Sequence, residues 1–261
     1  MFEKIYKNSI IEKPKFSLLI LIIILLSLSY FAKNFQLDAS SDTLLLENDP
    51  DLKYLREVNN KYGSKEFFVL TYTPNENFLN SKTITNLSNL KNDLSKLKWA
   101  NNVITILDVP LLKNNDEPLE DRIKNFKTLL SPDADKERGF DEILNSPIYR
   151  DFVISKDGKT SGILVYIKID QKISEFIKTK NKYLNKIENG EIKPEDKKKY
   201  KVFLKEYDSY KKLYNQKNHQ NVKEIRAIIK KYEDVAKIHL GGIPMIADDM
   251  MTYVKNDIIV F

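Results

Sequence analysis

Residues 67–73 read Phe-Phe-Val-Leu-Thr-Tyr-Thr, and Pro74-Asn75 follows them at once. A run of β-branched and aromatic residues that is closed by Pro and Asn is typical of a β-strand. Ser81 then begins an apolar pattern at helical spacing that continues to Leu97, and residues 102–109 form a second strand-like run. The centre of the chain therefore predicts one β-α-β unit.

Upstream of this unit, the sequence predicts a helix that starts at Asp49-Pro50 and ends at Gly63. Asp is a preferred residue just before a helix, Pro suits the first helical position, and Gly suits the end. Downstream, we expect two surface helices in the segment from Pro110, one around 118–130 and one around 135–144.

Two strands are predicted next, Arg150–Ser155 and Ser161–Asp170. The loop between them contains Asp157-Gly158, a pair that tight hairpin turns prefer. The sequence therefore predicts a β-hairpin at this point.

Residues 172–236 are predicted to be mainly helical, and Asn189-Gly190 with Pro194 divides them into two arms. Aromatic residues recur at helical spacing in the second arm, at Phe203, Tyr207, Tyr210 and Tyr214. Such a stripe indicates a helix–helix contact or, less commonly, a hydrophobic ligand surface. The polar run Asn218–Asn221 is expected to interrupt the helix.

A final strand, Lys237–Leu240, leads into Gly241-Gly242-Ile243-Pro244. The two β-α-β pieces with antiparallel strands between them predict an α+β, ferredoxin-like domain with a long helical insertion over 172–221. After the Gly-Gly-x-Pro turn, Ile246, Met250, Val254 and Ile258 recur at steps of four. We expect this stripe to run towards a membrane and Asp248, Asp249 and Lys255 to face water.

Charge is absent from residues 16–32, a run of mostly Leu and Ile between Lys15 and Lys33. As a helix this run is about 26 Å long, and a bilayer requires about 17–25 apolar residues. A cleavable signal peptide is the alternative, but Tyr30-Phe31-Ala32-Lys33 lacks its small-x-small cleavage site. We expect a transmembrane helix over 16–33, with the Lys-rich residues 1–15 in the cytoplasm and the domain from residue 34 outside, in the periplasm of a bacterium.

Composition argues against several function classes. The chain has no Cys and 2 His, and it contains no Gly-x-x-x-x-Gly-Lys phosphate loop. We therefore expect no disulfide, zinc site or ATP site, and no catalytic constellation is recognisable. The sequence predicts neither enzymatic activity nor a cofactor, and it assigns His219 and His239 to solvated structural positions.

Basic charge is concentrated in one segment. Residues 172–238 hold 19 Lys and Arg against 10 Asp and Glu, whereas residues 34–171 hold 18 against 22. A basic segment suggests nucleic acid as a partner, but these lysines share helical faces with acidic residues and an exported domain rarely meets DNA. The acidic run Glu47–Asp51 could hold calcium, but a helix start explains it more simply.

Two separated pieces of the chain resemble one family of membrane transporters. The first is the apolar run followed by Ser41-Asp42-Thr43-Leu44-Leu45-Leu46-Glu47-Asn48-Asp49-Pro50 and then Tyr62-Gly63. The second runs from Ile238 through the Gly-Gly-Ile-Pro turn to Asp248-Asp249-Met250-Met251. In their order and their distance from the apolar run, the two pieces are similar to the start of RND-superfamily exporters. The most similar branch is the MMPL/Patched-like group, which includes hopanoid and other lipid exporters.

The resemblance implies a periplasmic porter-like domain over 34–243 and the start of a second transmembrane helix in 244–261. The chain would then be the N-terminal part of a longer, proton-driven, multi-pass exporter in the bacterial inner membrane. The implied partners are membrane lipid, a lipid or other hydrophobic substrate, and the remaining transmembrane portion; a homo-oligomer stays open. The proton-relay carboxylates are expected beyond residue 261, and the arm 172–221 is longer than the family's usual helix.

Gly241, Gly242 and Pro244 are the candidate coupling joint between domain and membrane, and a passive strand-to-helix turn is the alternative. For the whole chain, the alternative is a two-span membrane-anchored sensor with a periplasmic ligand-binding domain. A scaffold that acts through the arm is a third class. Further apolar spans beyond residue 261 would favour the exporter, whereas a signalling helix with a kinase or cyclase domain would favour the sensor.

Overall fold

The computed structural model describes residues 13–32, 49–63, 65–113 and 126–260. The chain divides into two compact units after Asp38. Helix α1 (Pro14–Ala32) belongs to the first unit. Among the described residues, no helix combines the length and the apolar character needed to cross a membrane. Most of the first piece of the family resemblance, Ser41–Asn48, lies outside the described residues.

The second unit is an α+β domain, which confirms the predicted class. Its strands are β1 (Phe67–Pro74), β2 (Ala100–Ile104), β3 (Ser161–Ile167) and β4 (Ala236–Gly241). Its helices are α2 (Pro50–Tyr62), α3 (Ser81–Ser95), α4 (Lys136–Leu144), α5 (Gln171–Glu188), α6 (Pro194–Ile229) and α7 (Ile243–Val260). Short 3₁₀ turns follow β2 and α6.

The four strands form one sheet in the order β2-β3-β1-β4. β1 pairs antiparallel with both β3 and β4, and β2 pairs antiparallel with β3. The chain crosses from β1 to β2 through α3, and from β3 to β4 through α5 and α6. Each crossover therefore joins two parallel strands that have one antiparallel strand between them.

The core lies where the sheet meets α3 and the last turns of α6. Alternate side chains of a strand point to opposite faces, so one face of the sheet can be apolar throughout. The buried apolar residues are Phe68, Leu70 and Tyr72 in β1, Ile163 and Val165 in β3, Leu87, Leu90 and Leu94 in α3, and Val222 and Ile225 in α6. His239 is exposed in β4 between Ile238 and Leu240, on the opposite face, as the alternation predicts.

Four connections to the sheet lie at one end of its strands. The first residue of β1, Phe67, pairs with Tyr166 near the end of β3, Val69 pairs with Gly241 at the end of β4, and β2 begins beside the end of β3. The entries from α2 and α3 and the exits into α5 and α7 are therefore all at this end of the sheet, which we call the entry edge. The opposite edge carries the end of β1 and the start of β3, where Tyr72 pairs with Ser161.

Several predicted boundaries are confirmed by the caps. The Asp49 carboxylate accepts a hydrogen bond from the amide of Asp51 at 2.8 Å, and α2 runs from Pro50 to Tyr62 before Gly63, as predicted. Asp135 caps α4 in the same way. The predicted second strand is shorter, because Thr105 and Asp108 form a capping box that turns residues 106–108 into a 3₁₀ helix.

The hairpin prediction is half right. The turn exists: Gly158 has a φ of +68°, and the Ser155 amide donates to the Thr160 carbonyl at 2.8 Å. The strand predicted over Arg150–Ser155 is wrong, because the Tyr149 carbonyl draws in the amide of Val153 at 2.7 Å and curls the chain. Only isolated bridges remain, such as the one between Ile154 and Ser161.

The surface helix predicted around 118–130 cannot be followed along its length. Residues 114–125 lie outside the described residues, and Lys127 forms an antiparallel bridge with Leu111 instead of a helical turn. For residues 126–130 the helix prediction is therefore wrong.

The two predicted arms are α5 and α6, and the break at Asn189-Gly190 is confirmed. The expected interruption at Asn218–Asn221 is wrong, since α6 continues without a break to Ile229. The segment 172–221 therefore ends inside a helix whose last turns belong to the core.

Candidate functional site

The candidate joint lies between β4 and α7. β4 ends at Gly241, Gly242 has a φ of +106°, and α7 begins at Ile243. The Gly242 carbonyl accepts hydrogen bonds from the amides of Met245 and Ile246, both at 3.1 Å. Pro244 is buried in the first turn of α7, where a helix has no use for the missing amide hydrogen.

Gly242 is the position in the joint that only glycine fits. A Cβ atom there would lie 2.9 Å from the Phe67 carbonyl oxygen and 3.2 Å from the Phe68 Cα atom. These are backbone atoms of the central strand, so they cannot swing away as a side chain would. At Gly241 the nearest atom would be the Val69 oxygen at 3.6 Å, which is an ordinary contact. The joint therefore packs tightly against the backbone of β1 at Gly242.

α6 holds the start of α7 through polar side chains. The Asn218 Nδ2 atom donates to the Pro244 carbonyl at 2.7 Å, and the Arg226 Nη2 atom donates to both Asp249 oxygens at 2.9 and 2.8 Å. Between them, the His219 Nδ1 atom lies 2.9 Å from one Asp248 oxygen. We call these three contacts the α6–α7 clamp. It ties the outgoing helix to the helix that fills the core.

Asp248 is the buried member of the clamp, with 3 % of its surface exposed. A buried carboxylate requires a partner, and His219 supplies one. The expectation that Asp248 faces water is wrong. The helix break expected at His219 is also absent, but its side chain is 41 % exposed, in line with the predicted solvated position. Lys255 is exposed, as predicted. Closer to the sheet, exposed positions of α7 are apolar, since Ile246 is 52 % exposed and Met250 is 37 % exposed.

The sequence does contain a signal for the clamp. Asn215, His219 and Arg226 lie at spacings of four and seven, which places them on one face of α6. Asn215 also reaches α7, with its Nδ2 atom 3.8 Å from the Met251 sulfur. The sequence therefore contains a polar stripe on α6 and a pair of acidic residues, Asp248 and Asp249, on α7.

A second polar cluster fixes the base of the arm at the entry edge. The Tyr214 hydroxyl donates to the Glu66 carboxylate, and the Tyr210 hydroxyl donates to the two Asp170 oxygens at 3.0 and 2.7 Å. Lys217 lies 3.9 Å from Asp170. Glu66 precedes β1 and Asp170 follows β3, so α6 is held to both central strands.

The carboxylates of this cluster have opposite pKa shifts. Desolvation by the packed base of the arm raises the pKa of Glu66 although the residue keeps exposed surface, and the hydrogen bond from Tyr214 only partly offsets this rise. Burial acts on the pKa of Asp170 in the same direction, but the hydrogen bonds from Tyr210 and from the amide of Ile173 outweigh it and lower that pKa. Burial, with the nearby Glu66 charge, also raises the pKa of Tyr214.

The aromatic stripe is a helix–helix contact, as the first of the two alternatives predicts. The Phe176 ring of α5 lies 5.7 Å from Phe203, 6.0 Å from Tyr207 and 5.6 Å from Tyr210, centre to centre. Further out, Tyr183 lies 4.9 Å from the Tyr200 ring. α5 and the first half of α6 therefore pack side by side as a two-helix arm.

The contacts described above hold α5, α6 and α7 in place relative to the sheet. No group of three or more His, Asp and Glu side chains within the described ranges is arranged to hold a metal ion. A cavity between α3 and α4, lined by residues such as Phe78 and Leu107, has a volume of about 10 Å³. That is room for about one water molecule and not for a lipid. Comparisons of the chain with protein-family models, with curated proteins and with solved structures gave no match.

Proposed function

We propose that the chain is the N-terminal part of a proton-driven RND-type exporter in a bacterial inner membrane. In this proposal, residues 16–33 are the first transmembrane helix, 34–243 form a periplasmic porter domain, and 244–261 begin the second span. The observation that carries the proposal is the geometry of the entry edge. The chain enters β1 and leaves β4 at the same edge of the sheet, which suits a domain attached to a membrane at both ends.

The fold supports this assignment at the level of topology. We propose that the domain is ferredoxin-like, because two split β-α-β units in the order β2-β3-β1-β4 form the arrangement of that class. The arm is then an insertion in the second crossover.

The proposed anchor rests on the uncharged run of the sequence, residues 16–32. As a helix this run would be about 26 Å long against a hydrocarbon core of about 30 Å. This lies at the short end of the range for a span. The lysines on the N-terminal side then set the orientation, with residues 1–15 in the cytoplasm.

We further propose that Gly241, Gly242 and Pro244 couple the domain to the membrane. Gly242 fits against the backbone of β1, and the α6–α7 clamp fixes the next two turns of α7 to α6. A displacement of the second span, driven by protonation elsewhere in the transporter, would move α7, α6 and the sheet together. The joint is therefore a rigid link, not a hinge.

The substrate is proposed to be a lipid or another hydrophobic molecule that is handled at the surface of the domain. The cavity beside α3 is too small for such a molecule. Apolar surface is available on α7, where Ile246 and Met250 are exposed close to the expected membrane. In the proposal, these exposed residues contact lipid or the remaining transmembrane portion of the transporter.

A transport assay on the complete gene product tests the proposal. In inverted membrane vesicles, an imposed proton gradient should drive a fluorescent lipid analogue into the lumen, and an uncoupler should stop this transfer. Vesicles without the protein give the background. Lipid transfer that does not respond to the gradient would contradict the exporter. A signalling helix followed by a kinase or cyclase domain downstream of Phe261 would favour the sensor instead.

A further inference from the structure

The outer half of the arm is strongly basic and exposed. Residues 177–201 contain nine Lys against four Asp and Glu. Five lysines between the end of the turn that joins α5 to α6 and the second turn of α6 are exposed, and no ion pair of theirs is found within the described part of the chain: Lys193, Lys197, Lys198, Lys199 and Lys201. We call these five residues the arm tip. Because these side chains lie outside the core, the domain can fold without pairing their charges.

The arm extends away from the sheet on the side of the entry edge. Its base is fixed there by the contact of Tyr210 with Asp170. From that level, α5 and the first half of α6 run outward together, as the Phe176–Phe203 and Tyr183–Tyr200 contacts show. At the far end, Lys186 lies 3.1 Å from Asp196. The 18 residues of α5 make the arm about 27 Å long.

The segment that leads to the proposed first span lies beside the arm. Arg56 of α2 is 3.9 Å from Glu188, close to the arm tip. Ten residues later, Glu66 contacts Tyr214 at the base of the arm. The chain from Arg56 to Glu66 therefore runs from near the tip towards the base of the arm. In the proposed topology α7 begins the second span at the entry edge, so the arm, which extends from that same edge, is on the membrane side of the domain.

We propose that the arm tip binds the anionic phospholipid headgroups of the membrane in which the chain is anchored. This inference rests on the proposed anchor. Each lysine close to an anionic surface contributes about fivefold to binding, and the contribution falls off within a Debye length, about 10 Å at 0.1 M salt. The docked arm would hold the porter domain at a fixed height and tilt above the bilayer, because the base of the arm is bound to both central strands.

The absence of Cys from the sequence permits a clean test with one fluorophore. The full chain with Asn189→Cys, labelled at that residue, is reconstituted into vesicles of phosphatidylcholine alone or of phosphatidylcholine with phosphatidylglycerol. A quencher attached to the lipid headgroups reports contact of the arm tip with the surface. We expect strong quenching only with phosphatidylglycerol, and its loss in about 1 M salt, where the Debye length is about 3 Å.

Two triple variants distinguish binding through the arm tip from a general effect of positive charge on the protein surface. Lys197→Gln/Lys198→Gln/Lys201→Gln should weaken docking on the order of 100-fold, because Gln keeps the helix and removes the charge. The matched control neutralises Lys156, Lys159 and Lys237, which are exposed near the opposite edge of the sheet, and should quench like the parent chain.

Equal quenching in both lipids, or equal behaviour of the two triple variants, would overturn the inference. Quenching that appears only when an acidic protein is added would also overturn it and would indicate a protein partner. Failure of the proposed anchor gives a different result, since the chain would then leave the vesicles altogether in high salt.

Discussion

Replacing Gly242 with Ala should destabilise the domain by roughly 2–5 kcal/mol. The φ of +106° costs a residue with a Cβ atom about 1–2 kcal/mol. The added Cβ atom would also meet the Phe67 oxygen at 2.9 Å and the Val69 nitrogen at 3.3 Å. Forcing an atom into such a packed place costs about 1–3 kcal/mol. The two terms give the range.

Gly241→Ala is the matched control, one residue away in the same joint. Its Cβ atom would make an ordinary contact at 3.6 Å, and Gly241 is not among the described residues with positive φ. Because Ala also reduces the freedom of the unfolded chain, we expect this variant to be neutral or more stable by up to about 1 kcal/mol.

Urea unfolding followed by far-UV circular dichroism measures both variants under the same conditions. The midpoint should fall for Gly242→Ala with the slope unchanged. A Gly242→Ala variant within about 0.5 kcal/mol of Gly241→Ala would refute the packing argument. The result also decides which joint variants can be used in transport assays, because a variant that does not fold gives no information about coupling. Asn218→Ala, which removes one contact of the α6–α7 clamp, is the better variant for that purpose.

Three further predictions concern the polar clusters and the arm. His219→Ala should lower the unfolding free energy by about 1–3 kcal/mol, because it leaves the Asp248 carboxylate buried without its partner. His239 is exposed, so His239→Ala should change that free energy by less than about 0.5 kcal/mol. Equal losses in urea unfolding would contradict a stabilising contact between His219 and Asp248. Glu66→Gln should be more stable than the parent at pH 7 and equal to it below about pH 4. The reason is that the folded-state pKa of Glu66 lies above its usual 4.5, so its favourable contribution is present below that pH and is lost as the pH rises through the folded-state pKa; a gain that grows at low pH would contradict this. Replacing residues 177–206 with a short Gly-Ser turn should preserve a single cooperative transition, whereas deletion of 172–221, which also removes His219, should be the less stable of the two; loss of cooperativity in the first variant would place the outer arm in the core.

Local signals in the sequence were sufficient for many elements of the fold. Asp49-Pro50 and Gly63 marked a helix, Asn189-Gly190 marked the turn of the arm, and the stripe from Phe203 to Tyr214 marked the contact between its helices. Each of these signals acts within a few residues of its own position. The exposure of His239 was likewise predicted from its sequence neighbours alone, because apolar and polar residues alternate around it in β4.

Two predictions failed because contacts between residues far apart in the sequence determine the outcome. Asn218–Asn221 looked like a helix break because polar residues favour turns, but Asn218 and His219 are satisfied by α7, about 26 to 29 positions away in sequence. Asp248 looked solvated for the same reason. The strand predicted over 150–155 failed for a local reason, because the Tyr149 carbonyl accepts the amide hydrogens that pairing with another strand would need. The polar stripe on α6 is visible in the sequence, but its pairing with α7 depends on the fold.

The proposed topology is tested by determining the side of the membrane on which the domain lies. Single cysteines at Lys159, in the exposed turn before β3, and at Asn8, before the uncharged run, are introduced separately into the Cys-free chain in a bacterial host. We predict that a membrane-impermeant maleimide labels Lys159→Cys in intact spheroplasts and labels Asn8→Cys only after the membrane is permeabilised. Labelling of Asn8→Cys in intact spheroplasts, or protection of Lys159→Cys until permeabilisation, would contradict the proposed topology.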